Sequence, residues 1–344
     1  MDMNDREICW NLLPKVSRSF ALCIKILPDP INEQMMLSYM VFRVIDTIED
    51  SHAGLRTKKS LFKKVISLIS KRNADDRFAR QVSRELLTKL DYTYEKELLE
   101  QLPALNRHLF SQPIAARKAI VHRGRIMANG MYEFQKKPIV TFADQDRYSY
   151  YVAGVVGHLF NDLFHINGVI SLKLKRSLAN QAKQFGLALQ KVNILRDIAD
   201  DIAANRHYWP KKVLAKYGLD YTNICSAENR ERALSVLREQ IADARKYINA
   251  AMRYVLSLPK EALRVRMFCL IPLFMAIESF VKCMDNAEIF DAGKKVKISR
   301  EQVQDIVAKS GLWGANNERL VEWFFSSMGS SAPAISDFAV YKSR

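Results

Sequence analysis

The sequence predicts an all-α protein, and three observations carry that prediction. Apolar residues recur at spacings of three and four rather than in strict alternation. Only 12 glycines and 10 prolines fall among 344 residues, mostly between periodic segments, which leaves long uninterrupted stretches and few sites for hairpin turns. The apolar share of 49% against 26% charged residues is enough to bury a substantial core.

Residues 1–15 hold acids, a Trp and a Pro but no uninterrupted apolar run behind a basic start, which does not fit a secretory signal peptide. The expected location is the cytoplasm. Next comes an apolar helical run, Met35, Met36, Leu37, Tyr39, Met40, Val41 and Phe42, leading into a cluster of acids. Leu61, Phe62, Val65, Ile66, Leu68 and Ile69 then form a helical stripe. A further helical run beginning near Phe185 ends in a second group of acids.

Over residues 233–256, Leu234, Leu237, Ile241, Ala244, Ile248, Ala251 and Val255 line one face, with charges on the other, predicting a long amphipathic helix stopped by Pro259. Residues 262–281 resume as an almost continuously apolar helix, expected in the centre of a bundle. The most apolar part, 268–277, is broken by Pro272 and followed by Glu278, well short of the roughly 18 residues that span a bilayer. No linker rich in Gly, Ser or Pro and no fixed-period repeat divides the chain, so residues 1–325 are expected as one helical domain and 326–344 as an irregular tail.

Lysine and arginine number 53 against 37 acids, a net charge of +16 that draws anionic partners without choosing among nucleic acid, anionic lipid and phosphorylated substrates. The basic residues are spread along the chain and no nucleic-acid reader motif occurs, so nucleic acid is not expected as a partner. Five scattered cysteines with no C-x-x-C pair argue against a disulfide framework or a zinc site and fit buried apolar side chains in a reducing compartment.

The chemical signal lies in two acidic clusters. In Arg43-Val-Ile-Asp46-Thr-Ile-Glu49-Asp50, helical geometry puts all three carboxylates on one face. In Asn193-Ile-Leu-Arg196-Asp197-Ile-Ala-Asp200-Asp201, the residues Asn193, Asp197 and Asp201 form one i, i+4 row. Like charges at this spacing cost a helix roughly 0.2 to 0.5 kcal/mol per pair, and bound cations would neutralise them. Mg²⁺ is the natural candidate, because it takes hard oxygen ligands and bridges one or two carboxylates to substrate phosphate. One such cluster alone would be read as a solvated helix face. Two, each with an arginine just upstream, point to a metal–diphosphate site, with Arg18, Arg43, Arg196 and Arg206 as phosphate-binding cations.

Ser17-Arg18-Ser19-Phe20, Asp46-Thr-Ile-Glu49-Asp50, Tyr151-Val-Ala-Gly154 and Asn193-Ile-Leu-Arg196-Asp197, in this order, resemble the squalene and phytoene synthase family from about residue 9 to about residue 302. Arg206-His-Tyr-Trp209-Pro210, residues 268–277 and Val296-Lys297-Ile298 after Gly293-Lys294-Lys295 are closer to the squalene synthases within it. The resemblance implies a single-domain isoprenoid synthase helical bundle with a central active-site cavity, the two acidic helices facing one another across it. It implies a transferase that joins two farnesyl diphosphates into presqualene diphosphate with Mg²⁺. The same resemblance implies that the enzyme then reduces that intermediate to squalene with NADPH, for sterol or hopanoid biosynthesis.

Carried over by motif, Asp46, Glu49, Asp50, Asn193, Asp197 and Asp201 are the expected metal site, with Asp200 as a nearby acid. Asp46, Asp50, Asp197, Asp201 and Tyr151 are expected to be catalytic, Tyr151 in proton removal or cation stabilisation. Ser17, Arg18, Ser19, Phe20, Tyr39, Arg43, Asn193, Arg196, Arg206, Lys295 and Lys297 are expected to bind substrate or cofactor, and Phe268 and Phe274 either line the cavity or fill the core. No G-x-G-x-x-G occurs, so NADPH rests on the resemblance and on the basic residues Lys294, Lys295, Lys297 and Arg300. Residues 337–344 carry no apolar anchor of the kind many eukaryotic family members have, and the expectation is peripheral contact with membrane lipid. Competing readings are a non-reductive phytoene or dehydrosqualene synthase and a non-catalytic helical protein that binds polyanions or lipid.

Overall fold

The computed structural model describes residues 4–71, 76–88 and 93–329. Among them every regular element is a helix, as the periodicity requires. The described residues fall into two compact units, one within 1–137 and 158–175, the other within 138–157 and 176–329.

In the first unit the Ile31–Asp50 helix packs against Leu55–Ser70 and Ile114–Phe134. Met35, Met36, Leu37, Met40, Val41, Val44, Ile45 and Ile48 are buried along it, and Leu61, Phe62, Val65, Leu68 and Ile69 along Leu55–Ser70. Each such side chain contributes roughly 1.5 to 3 kcal/mol when fully buried, and it is this apolar face that fixes which way the acids of the Ile31–Asp50 helix point. Local signals set the ends of other helices. Asn4 and Glu7 form a capping box at the start of Asp5–Val16, and Ser17 caps Arg18–Ile26.

In the second unit the Ala179–Arg196 helix lies along Arg230–Ser257 and Leu263–Cys283. The amphipathic helix extends a few residues beyond the predicted 233–256 at its start, and Leu263–Cys283 continues through Pro272; most of it is buried, but Met267, Pro272, Met275, Glu278 and Lys282 leave one face half-buried, where burial on every side was expected. A Cβ on Gly157 would collide with the carbonyl oxygen of Ala182, and one on Gly186 with that of Ala153. These two glycines allow residues 150–157 to cross the Ala179–Arg196 helix backbone to backbone. The last helix, Asn317–Ser327, includes residues 326 and 327, placed by the sequence reading in the irregular tail; residues 330–344 lie outside the described residues.

Cys9, Cys23, Cys269 and Cys283 are free and buried, as expected, whereas the free Cys225 is half-buried. Among the described residues no helix is long and apolar enough to cross a membrane.

Candidate active site

In the first unit, the last turns of Ile31–Asp50 carry Asp46 and Glu49 half-buried and Asp50 exposed, on the face opposite the apolar stripe. Burial pushes the Asp46 carboxyl up to about 7, with Asp50 adding to the rise and Arg43 opposing it. Burial pushes Glu49 further, to about 8, and both neighbouring aspartates add to it. These carboxylates crowd one another with too little positive charge close by, which is the electrostatic condition a divalent cation relieves.

Two cations flank the cluster. Arg43 Nη2 lies 2.5 Å from Glu95 Oε1, and its Nη1 lies 3.7 Å from Asp46 Oδ2. Its Nε is buried with no hydrogen-bond partner among the described residues, an orphaned donor of the kind an anionic ligand satisfies. Lys58 is buried and donates to the Glu49 carbonyl and, at 2.7 Å, to Gln135 Oε1, holding the end of the acidic helix from behind. The sequence reading singled out neither Glu95 nor Lys58, because each meets its partner through packing rather than helical spacing.

Ser17 Oγ accepts from the Phe20 amide at 3.1 Å. The Phe20 ring centroid stands 5.4 Å from that of Tyr39, whose hydroxyl donates to the Val16 carbonyl at 3.4 Å. Tyr39 in turn sits one helical turn before Arg43. The structure thus brings Ser17, Phe20, Tyr39 and Arg43 into one chain of neighbours leading to the first acidic cluster. Ser19 is exposed, and the Arg18 side chain lies outside the described residues.

In the second unit the acidic row is not on one unbroken helix. Ala179–Arg196 ends and Ile198–Ala203 begins at Asp197, which leaves helical geometry at φ −100°, ψ 16°. The register survives, because Asp197 N donates to Asn193 O at 2.9 Å and Asp201 N to Asp197 O at 2.8 Å. Arg196 grips Asp197 with two hydrogen bonds, at 2.7 and 2.5 Å. Asn205 adopts a left-handed φ of 53°, a conformation asparagine tolerates better than most residues. This turns the chain so that Arg206 Nε reaches Asp201 Oδ1 at 3.1 Å. Burial pushes Asp201 up to about 6, against the pull of Arg206 and with Asp197 and Asp200 adding to the rise. Asn193 is exposed.

The segment after Arg206 is pinned from several sides. Trp209 is fully buried and donates to the Ile194 carbonyl at 2.9 Å. The Tyr208 ring stacks on Tyr148 at 4.7 Å, and its carbonyl accepts from Gln145 at 3.0 Å. Behind the same helix, buried Lys191 lies 2.6 Å from Asp146 and pairs also with Asp243, an interaction the sequence reading did not find.

Tyr151 lies half-buried in a π-helical turn, Tyr150–Gly154, a geometry frequent at functional sites. The Arg147 guanidinium stands 6.0 Å from its ring centroid. Phe268 and Phe274 are sealed in the core, Phe274 stacked on Trp323 at 3.4 Å, which favours the core reading for both.

The basic segment forms a cavity of about 380 Å³ lined by Lys282, Asn286, Glu288, Lys294, Lys295, Val296 and Lys297. Lys282 donates to the Lys297 carbonyl and to Gln302 Oε1, both at 2.8 Å, and so sets the course of the segment. Lys295 Nζ lies 3.1 Å from Asp200 Oδ2, joining this segment to the second acidic cluster.

Among the described residues no three acidic, histidine or cysteine side chains converge into a ready-made metal cage. The oxygen donors of each cluster still fit Mg²⁺, which binds through one or two carboxylates and leaves its other positions to water and substrate phosphate.

The described residues thus form an all-α fold with an acid–arginine helix end in each unit and a lysine-lined cavity in the second. The chain belongs to the squalene/phytoene synthase family, whose model matches residues 13–302. It is 32% identical over 315 residues to the squalene synthase of Dictyostelium discoideum, covering 90% of this chain and 72% of that one. It is also 32% identical over 302 residues to squalene synthase BSS of Botryococcus braunii, covering 86% of this chain and 62% of that protein. The solved structure of TcSQS in complex with a ligand superposes with a TM-score of 0.84 at 27% identity, covering 97% of this chain and 94% of that one.

Proposed function

We propose that this protein is a prenyltransferase of the squalene synthase type. It condenses two farnesyl diphosphates to presqualene diphosphate with loss of diphosphate and a proton, and then converts that intermediate to squalene with loss of the second diphosphate and addition of a hydride from NADPH. The observation that carries the reductive reading is the contact of Lys295 with Asp200, which sets a cationic cavity beside an acidic cluster.

In this reading Asp46, Glu49 and Asp50 hold Mg²⁺ at one cluster, and Asn193, Asp197 and Asp201 hold it at the other. Bound magnesium supplies the positive charge that lets diphosphate depart. Arg43, Arg196 and Arg206 take diphosphate oxygens, a role supported by the buried Nε that Arg43 leaves without a partner among the described residues. Arg18, Ser17, Ser19, Phe20 and Tyr39 complete the binding of the first cluster's substrate. Tyr151 accepts the proton lost in condensation or stabilises the cation with its ring. Lys295 and Lys297 bind phosphates of NADPH, which supplies the reducing equivalent when bound. Both clusters are required for turnover.

The apolar tails of substrate and product, together with the net charge of +16, support peripheral association with an anionic membrane. The test of the activity is incubation with farnesyl diphosphate and Mg²⁺, with and without NADPH, and mass spectrometry of the extracted lipids. Squalene formed only with NADPH is the expected result. Dehydrosqualene as the main product under both conditions would reassign the chain to the non-reductive branch, and no condensation would remove the proposal.

A further inference from the structure

In the first unit the Leu55–Ser70 and Ile114–Phe134 helices leave a groove of about 400 Å³ between them, lined by none of the acids of the first cluster. Its lining combines two chemistries. Half-buried Ile66 and Tyr132 supply apolar surface over a floor of buried Phe62 and Ala128, while Lys59, Lys63, Lys71 and Arg125 are exposed, and no acidic residue lines the groove. Lys59 Nζ stands 5.5 Å from the Tyr132 ring centroid, and Lys136 Nζ 4.1 Å from it on another side.

The charge is unbalanced as well as local. The neighbouring Lys64 pairs with Glu85 at 2.6 Å. Lys59, Lys63, Lys71 and Arg125 have no carboxylate within ion-pair distance among the described residues, and the polar contact of Arg125 is with Ser70 Oγ at 3.4 Å. Helix stability does not explain such a cluster, since Lys59 and Lys63 are one turn apart and repel. An anionic ligand would remove that repulsion.

We propose that this groove is where an anionic phospholipid of the membrane surface docks, its phosphate among Lys59, Lys63 and Arg125 and its upper acyl carbons against Phe62, Ile66 and Tyr132. Lysines with aliphatic stems over an apolar floor, beside a tyrosine, match the headgroup boundary of a bilayer, where such side chains keep their charge in water and their stems in lipid. A nucleic acid would use the charge but leave the apolar floor without a partner. This rests on the peripheral association proposed above and gives it a site.

The test is co-sedimentation with phosphatidylcholine vesicles and with vesicles in which about a third of the lipid is phosphatidylglycerol. The proteins compared are the wild type, Lys59→Glu/Lys63→Glu, and a charge-matched control, Lys25→Glu/Lys260→Glu, at low and high salt. The wild type is expected to bind only the anionic vesicles, in a salt-sensitive manner. The groove variant is expected to bind at least about tenfold more weakly, since each basic side chain near an anionic surface is worth a factor of about five. The control should stay within about twofold. Turnover of farnesyl diphosphate in detergent should be equal in all three and reports that the variants are folded.

Equal loss in both variants would show that net charge alone matters and overturn the groove while leaving peripheral association standing. Wild-type protein that ignores anionic vesicles would overturn both. Wild-type protein that instead shifts a short RNA, with the shift lost in the groove variant, would reassign the groove to a polyanion. None of these outcomes depends on which lipid product the enzyme makes.

Discussion

The ammonium of Lys295 lies 3.1 Å from the carboxylate of Asp200. Both side chains remain substantially exposed, and an exposed pair of this kind contributes about 0 to 1 kcal/mol to stability. Its value is in position, because it holds a lysine of the basic cavity next to the second acidic cluster. Replacing Lys295 with Ala is therefore expected to leave the melting temperature almost unchanged. It should raise the KM for NADPH by about tenfold or more, the loss of one charged hydrogen bond being worth about 1.5 to 3 kcal/mol. Presqualene diphosphate should accumulate in the variant, as read by mass spectrometry. A uniform fall in both half-reactions would count against this assignment.

Tyr151→Phe separates the two roles given to that residue. If the hydroxyl takes the proton, formation of presqualene diphosphate should fall by about 10²- to 10⁴-fold. If the ring acts only on the cation, the variant should keep most of its activity. Rapid-quench measurement of the intermediate decides between them, and unchanged affinity for farnesyl diphosphate shows that the site is intact.

Glu49 gives a pH dependence with a definite sign. Burial, with Asp46 and Asp50, lifts its carboxyl from 4.5 to about 8. A folded-state value above the unfolded one means a stability contribution that is fully present below about pH 4.5 and lost as pH rises through about 8. Glu49→Gln, which cannot ionise, should match the wild type near the lower end and melt at a higher temperature than it above the upper end, in metal-free buffer. Added Mg²⁺ should shrink that advantage by stabilising the wild-type carboxylate. Scanning calorimetry across this range, with and without Mg²⁺, checks both halves of the expectation, and a variant less stable than wild type at high pH would contradict it.

Gly186→Ala tests the helix crossing. Its Cβ would run into the carbonyl of Ala153 and crowd Gly154 as well, and backbone atoms cannot swing aside as a flexible side chain can. A loss of about 1 to 3 kcal/mol is expected from overpacking, seen in urea denaturation. Because Ala153 and Gly154 share the π-helical turn with Tyr151, turnover should fall by more than the loss of folded protein accounts for.

The helices, the acids of the first cluster and the long amphipathic segment at 233–256 were legible in the sequence because each depends on spacing along one chain segment, and helical geometry converts spacing directly into a shared face. The same rule foresaw that Asn193, Asp197 and Asp201 stay in one row, which their backbone hydrogen bonds preserve, but it placed them on an unbroken helix. Only the tertiary structure decided that Asp197 interrupts that helix, that Glu95 takes Arg43, that Lys191 sits buried between Asp146 and Asp243, and that Lys295 reaches Asp200. These partners are separated by tens of residues and meet because apolar faces pack. The sequence determines which faces must be buried, while the pairing of charges around them follows from how those faces fit together.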